Sequence, residues 1–167
     1  MLAGSLGTVH ILLATDADWI VDEVTAALGG PDTTFTVCGD GRVVSGVVKQ
    51  RTPDVAILDL QVGSMGGMAT TMALRLDESG GLLPHVNVLM LLDRQADVFL
   101  AQRSGADGWL IKPLDAMRLK RAALAVAAGN RYTEGVPQET PDEVPEHEVA
   151  GSSEVAGSFE EEPVPAR

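Results

Sequence analysis

One cysteine in 167 residues excludes an internal disulfide. That thiol, Cys38, lies in the apolar stretch Phe35-Thr-Val-Cys38, where it reads as a small buried hydrophobe. No apolar run approaches the roughly 20 residues that cross a bilayer, so direct membrane insertion is not expected. The N-terminus, Met1-Leu-Ala-Gly-Ser-Leu-Gly7, has no basic region and no long apolar core, so it does not read as a signal peptide. A cytoplasmic protein is therefore expected. The three histidines, His10, His85 and His147, lack metal-ligand spacing among themselves.

Basic residues are also scarce, 12 against 24 acids, and the imbalance is local. Residues 133–167 hold 10 of the acids and one base, which is −9 of the net −12. The remaining 132 residues carry 14 acids and 11 bases, or −3. A near-neutral body with an acidic tail follows. From Tyr132 to Arg167 there are five prolines, scattered acids and few large apolar groups. Such a segment buries too little surface to offset its ordering entropy and is expected to be disordered alone. Its charge repels phosphate backbones, so direct DNA binding is not expected either. The division is a short extension over 1–7, a globular domain over 8–131 and an acidic tail over 132–167.

What is present is a repeating pattern. Five apolar runs, Val9–Ala14, Thr34–Cys38, Val55–Leu58, Val86–Leu92 and Gly108–Ile111, alternate with five helical segments. The first, third and fourth runs are nearly continuous in apolar residues, as central parallel strands covered on both faces require. The helical segments follow Asp18, which would cap the first, and Asp40; two more span 67–77 and 94–103, and the fifth opens at Asp115. The fold class is therefore α/β: a flavodoxin-like (βα)5 arrangement, a doubly wound parallel five-stranded sheet, with the disordered acidic C-terminal tail appended.

In such sheets ligands sit at the carboxyl ends of the strands. Asp16, Asp59, Leu92 and Lys112 all fall at such ends. Asp59 closes the buried run Asp54-Val-Ala-Ile-Leu-Asp-Leu60, where a carboxylate is costly unless a site uses it. Two acids and a lysine converging there suit metal-assisted phosphoryl transfer to a carboxylate. A flavin carrier would need a Ser/Thr/Gly-rich phosphate loop after the first strand, and Thr15-Asp-Ala-Asp18 is not one. An aspartate-nucleophile hydrolase would carry its acid pair after the first strand instead of the third. No enzyme is expected.

These residues resemble the receiver domain of bacterial two-component response regulators, over roughly residues 8–129. Pro53-Asp-Val-Ala-Ile-Leu-Asp-Leu60 with Met65-Gly-Gly67 is similar to the phospho-acceptor strand and its loop, and Gly105-Ala-Asp-Gly-Trp-Leu-Ile-Lys-Pro113 to the lysine–proline signature. The resemblance implies that Asp59 is the phosphoryl acceptor, that Asp16, Asp59 and the Gln61 carbonyl hold Mg²⁺, and that Lys112 pairs with phosphoryl oxygens. It also marks departures. Thr15 stands where the family has the first of two acids, which implies a weakened metal site. Leu92 stands where a Ser or Thr hydroxyl swings to the phosphoryl group, and Trp109 holds the aromatic switch position. Gly63 replaces a loop proline.

Two functions follow from the resemblance. One is a degenerate receiver that docks constitutively as an accessory subunit, through a partner face including Arg103, Trp109, Arg118 and Arg121. Some stand-alone receivers of GC-rich bacteria accompany respiratory NADH–quinone oxidoreductase in this way, on the cytoplasmic side of the inner membrane, and nine arginines against three lysines fit such a genome. The other is a working phosphorelay receiver charged on Asp59 by a histidine kinase.

Overall fold

The apolar runs form five strands: β1 (Val9–Ala14), β2 (Thr33–Cys38), β3 (Val55–Asp59), β4 (Val88–Leu92) and β5 (Gly108–Ile111). The computed structural model describes residues 7–135, all within the first of two units of the chain, Met1–Pro137. All neighbouring strands pair in parallel in the order β2-β1-β3-β4-β5, with Leu13 opposite Ile57, Leu58 opposite Met90 and Leu91 opposite Leu110. The three continuously apolar strands are the three internal ones, and every residue of β3 and β4 is buried. Edge strand β2, with its threonines, is only partly covered.

Alternation along each strand feeds two cores, one per face of the sheet. Leu12, Leu58 and Met90 pack with Leu74 and Val44 on one side. Ile11, Leu13, Ile57 and Leu91 pack with Ile20 and Leu119 on the other. The covering helices are α1 (Asp18–Leu28), α2 (Val44–Gln50), α3 (Gly67–Ser79), α4 (Val98–Ser104) and α5 (Ala116–Ala127).

Several boundaries differ from the sequence expectation: β2 begins at Thr33, β4 begins at Val88 and α3 runs to Ser79. Asp18 is not the cap of α1: the cap is Ala17, with no side-chain bond, and Asp18 stands in the first turn, where the helix dipole favours a carboxylate. The segments after Asp40 and Arg94 begin as tight 3₁₀ turns, Gly41–Val43 and Gln95–Asp97, before α2 and α4. Asp40 does cap its turn, its carboxylate accepting from Arg42 N at 2.8 Å, and Asp115 caps α5, accepting from Arg118 N at 2.9 Å.

The globular body also runs past residue 131. Tyr132 bridges to Gly108, and its carbonyl accepts from Trp109 N at 2.8 Å, so the described chain lies along the free edge of β5. Residues 1–6 of the expected extension and 136–167 of the expected tail lie outside the described residues.

Candidate functional site

Asp59 ends β3 and is 2% exposed. A buried carboxylate needs donors, and this one has three. Its Oδ1 accepts from Lys112 Nζ at 2.8 Å and from Gln61 N at 3.2 Å. Its Oδ2 accepts from the Thr15 hydroxyl at 3.0 Å. Lys112 is fixed by its position just after β5, where its N–H donates to the Leu92 carbonyl at 2.8 Å. Of the two acids and the lysine expected to converge, Asp59 and Lys112 are in contact, while β1 contributes the Thr15 hydroxyl instead of Asp16.

Lys112 is shared. Its Nζ also donates to Asp93 Oδ1 at 2.8 Å, and it lies 5.8 Å from the centre of the Trp19 ring. Burial lowers the affinity of this ammonium for its proton, but Asp59 and Asp93 outweigh that and hold it above the ordinary lysine value. Burial likewise raises the Asp93 carboxyl, and the bonds from Lys112 and Gln61 more than reverse it. Asp93 was missed in the sequence although the positional argument that selects Asp59 applies to it: it is the first residue beyond β4. Trp19 gave no signal, since its use depends on α1 passing beside the end of β5.

Asp16 follows Thr15 but is exposed, and no hydrogen bond among the described residues ties it to Asp59 or Lys112. Its neighbour is Gly63: a Cβ there would lie 3.1 Å from Asp16 Oδ2, so the glycine keeps open a space that most side chains would crowd. Asp16, Asp59 and the Gln61 carbonyl are hard oxygen donors of the kind that would hold Mg²⁺, and the absence of a side chain at Gly63 leaves room beside Asp16. Among the described residues no group of three or more His, Cys, Asp and Glu gathers as a metal cluster.

The two positions expected as switches, Leu92 and Trp109, are both buried. Leu92 is fully buried in the same core cluster as Trp109 and has no hydroxyl to offer. Trp109 is 3% exposed, and its indole Nε1 donates to the Glu134 carbonyl at 2.8 Å. Arg118 Nε donates to Glu134 Oε1 at 2.9 Å, and its Nη2 donates to Oε2 of the same carboxylate. The partner face expected from the sequence is thus not wholly open. Arg103 and Arg121 are exposed, Arg103 stacking 5.4 Å from the Phe99 ring centre, while Trp109 and Arg118 are engaged by Glu134. Glu134 was assigned to the tail, past the last periodic element, and nothing local marks its role.

A family model, Response regulator receiver domain, matches residues 11–124. The chain is similar to the nitrate/nitrite response regulator protein NarP of Escherichia coli (strain K12), 36% identical over 101 residues that make up 60% of this chain and 46% of NarP. It is similar to the DNA-binding response regulator MtrA of Mycolicibacterium smegmatis, 30% identical over 151 residues, 87% of this chain and 63% of that protein. The chain thus spans less than two thirds of the length of either relative. Among solved structures it resembles the signal receiver domain of the response regulator NarL from Mycobacterium tuberculosis, with TM-score 0.64, 28% identity, and coverage of 74% of this chain and 99% of that one. It shares its fold with the receiver domain of sensor histidine kinase PA1611 from Pseudomonas aeruginosa, which has a magnesium ion coordinated in its active-site cleft (TM-score 0.60, 21% identity, 73% and 98% covered).

Proposed function

This chain belongs to the response regulator receiver family, a family of signalling modules, and from that premise we propose a receiver that accepts a phosphoryl group on Asp59 and acts by docking a protein partner. The observation that carries the reading is the buried Asp59 carboxylate with the Lys112 ammonium 2.8 Å from it. An Asp59 carboxylate oxygen attacks phosphorus in the donor, a kinase phosphohistidine or a small phosphorylated metabolite. The donor's bond to phosphorus breaks and its electron pair leaves with the donor. Lys112 is held where negative charge gathers on the transferring group. Mg²⁺, held by Asp16, Asp59 and the Gln61 carbonyl, would neutralise further charge there. Thr15 contributes a hydroxyl to Asp59 and no charge to the metal, which supports a weakened site.

The departures bear on output. With Leu92 buried and aliphatic, the phosphoryl group finds no β4 hydroxyl to draw toward it, so the usual link to Trp109 is absent. That favours a degenerate read-out and constitutive docking. The partner proposed on the resemblance is a large respiratory complex approached from the cytoplasmic side. The bias of nine arginines against three lysines supports that partner.

The test joins intact-mass spectrometry with affinity capture. Wild type incubated with acetyl phosphate and Mg²⁺ should gain one phosphoryl adduct that Asp59→Asn does not gain. Tagged wild type and Asp59→Asn should retain the same stoichiometric partners. No adduct on wild type would remove acceptance from the proposal; partners that change with Asp59→Asn would restore an ordinary phosphorylation-coupled switch.

A further inference from the structure

The two edges of the sheet are not alike. The chain covers the outer side of β5 at Tyr132, whereas no strand among the described residues pairs with the outer side of β2. Val9 N–H donates to the Asp32 carbonyl at 2.8 Å and Thr15 N–H to the Cys38 carbonyl at 2.9 Å, which fixes the phase of the ladder. Thr34, Thr36 and Cys38 therefore turn their backbone groups to β1, and Thr33, Phe35 and Val37 turn theirs outward. Thr33 N–H closes a turn on the Gly30 carbonyl at 3.1 Å. The N–H and C=O groups of Phe35 and Val37 have no hydrogen-bond partner among the described residues. Proteins commonly guard such an edge with charge, proline or a bulge. Thr33-Thr-Phe-Thr-Val-Cys38 has none of these: it holds no charged residue and no proline, and it pairs with β1 residue for residue. Val37 is 48% exposed on it.

We infer that the β2 edge is an interface between two copies of this chain, joined antiparallel about Thr36 so that one sheet runs through both. A two-fold axis at Thr36 sets Phe35 against Val37 of the second copy, and Val37 against its Phe35. The outward N–H and C=O groups of these residues then pair with one another and none is left over. The side chains match too. Phe35 meets a β-branched valine on one face of the sheet and Thr36 meets Thr36 on the other, both favourable cross-strand pairs. At the ends of the same register Asp32 stands opposite Asp40 of the second copy. Asp40 brings its own countercharge, Arg42 at 2.7 Å, whose side chain is 68% exposed and free to serve Asp32 as well. Any extended segment could satisfy the backbone groups, but this match of β2 with itself favours a second copy. The edge lies at the opposite end of the sheet from β5, so pairing leaves the expected partner face open and presents two such faces on one particle. The inference does not depend on phosphoryl transfer to Asp59.

The experiment follows the full chain by light scattering across a concentration series, beside Val37→Lys and Arg42→Glu. Wild type should pass from monomer to dimer as concentration rises. Val37→Lys puts a charge on the exposed edge without touching the β1 ladder, and should weaken the dimer at least about tenfold. Arg42→Glu should weaken it as well, and adding Asp32→Arg to Arg42→Glu should restore it. The register is read by Thr36→Cys in a Cys38→Ala background. Residues facing across a non-hydrogen-bonded pair have Cα atoms about 4.5 Å apart, within disulfide reach, so this variant should form an oxidised dimer. Val37→Cys in the same background should not. A wild type that stays monomeric overturns the proposal and leaves the edge to a different protein. A dimer that persists unweakened in Val37→Lys, with circular dichroism matching wild type, overturns it by placing self-association on another face. Equal cross-linking of the two cysteine variants overturns the register about Thr36. Should Thr36→Cys fail to fold, the Val37→Lys series decides the matter alone.

Discussion

Lys112 stands 2.8 Å from a carboxylate on each side, Asp59 and Asp93, so an incoming phosphoryl group must draw the ammonium from two anions. Asp93 is the exposed member, 37% accessible, and pairs of that kind are worth at most about 1 kcal/mol. Asp93→Asn is accordingly expected to speed Mg²⁺-dependent phosphoryl uptake on Asp59 by about three- to fivefold, measured as the initial rate of adduct formation; an unchanged or slower rate would show that Asp93 does not compete. Thr15 offers the converse substitution. Its hydroxyl is 3.0 Å from Asp59 Oδ2, so Thr15→Asp would bring a second anion against a buried one. Without metal it should lower stability by at least about 1–2 kcal/mol, from like-charge repulsion at two buried positions. With Mg²⁺ it should show a larger rise in melting temperature than wild type does. A melt insensitive to Mg²⁺ in both chains would remove Asp16 and Asp59 as ligands.

The site rests on how β3 passes into α3. Gly67 opens α3 against the end of β3, where a Cβ would sit 2.6 Å from the Asp59 carbonyl oxygen. Gly67→Ala must displace backbone, and overpacking of that kind costs about 1–3 kcal/mol; urea titration should show the loss, and an unaffected midpoint would mean that the loop yields freely. The same contact explains what could be read in advance. Continuous apolar runs identified β1, β3 and β4 as internal because burial on both faces leaves no room for polar alternation. Asp59 and Lys112 were legible because strand ends in a wound sheet are where sites form. Helices α2 and α4 were read too long, since the apolar spacing continues through their 3₁₀ first turns. Glu134 was illegible: its partners Arg118 and Trp109 lie 16 and 25 residues earlier, and only the fold brings them together.

For the molecule as a whole, these ionisable groups define a pH window of stability. His10, in β1, is 3% exposed, its Nε2 2.8 Å from the Thr36 hydroxyl of β2 and its Nδ1 without a partner among the described residues. Burial first, and Arg51 second, hold its pKa below the ordinary 6.5. The native state therefore binds the proton less well than the unfolded chain does, and this contribution, complete above pH 6.5, is lost as pH falls through the lower native value. Glu134 acts in the same direction at lower pH: burial raises its pKa, Arg118 and Ile111 N–H lower it further, and the net lies below 4.5. Its contribution is present above pH 4.5 and lost as pH falls through the depressed native value. Lys112, raised above 10.5, contributes below that value and loses its part only as pH climbs past it. Melting temperature should thus form a plateau between about pH 6.5 and 9, above which the buried Cys38 thiol, its pKa raised by burial, begins to favour the unfolded chain, with two successive losses on the acid side. His10→Leu should flatten the first loss and leave the second, while Glu134→Gln should reduce the second, which Asp40 and Asp93 share, and leave the first. A single acid transition, moved equally by both substitutions, would mean that neither group titrates separately from the cooperative unfolding of the sheet.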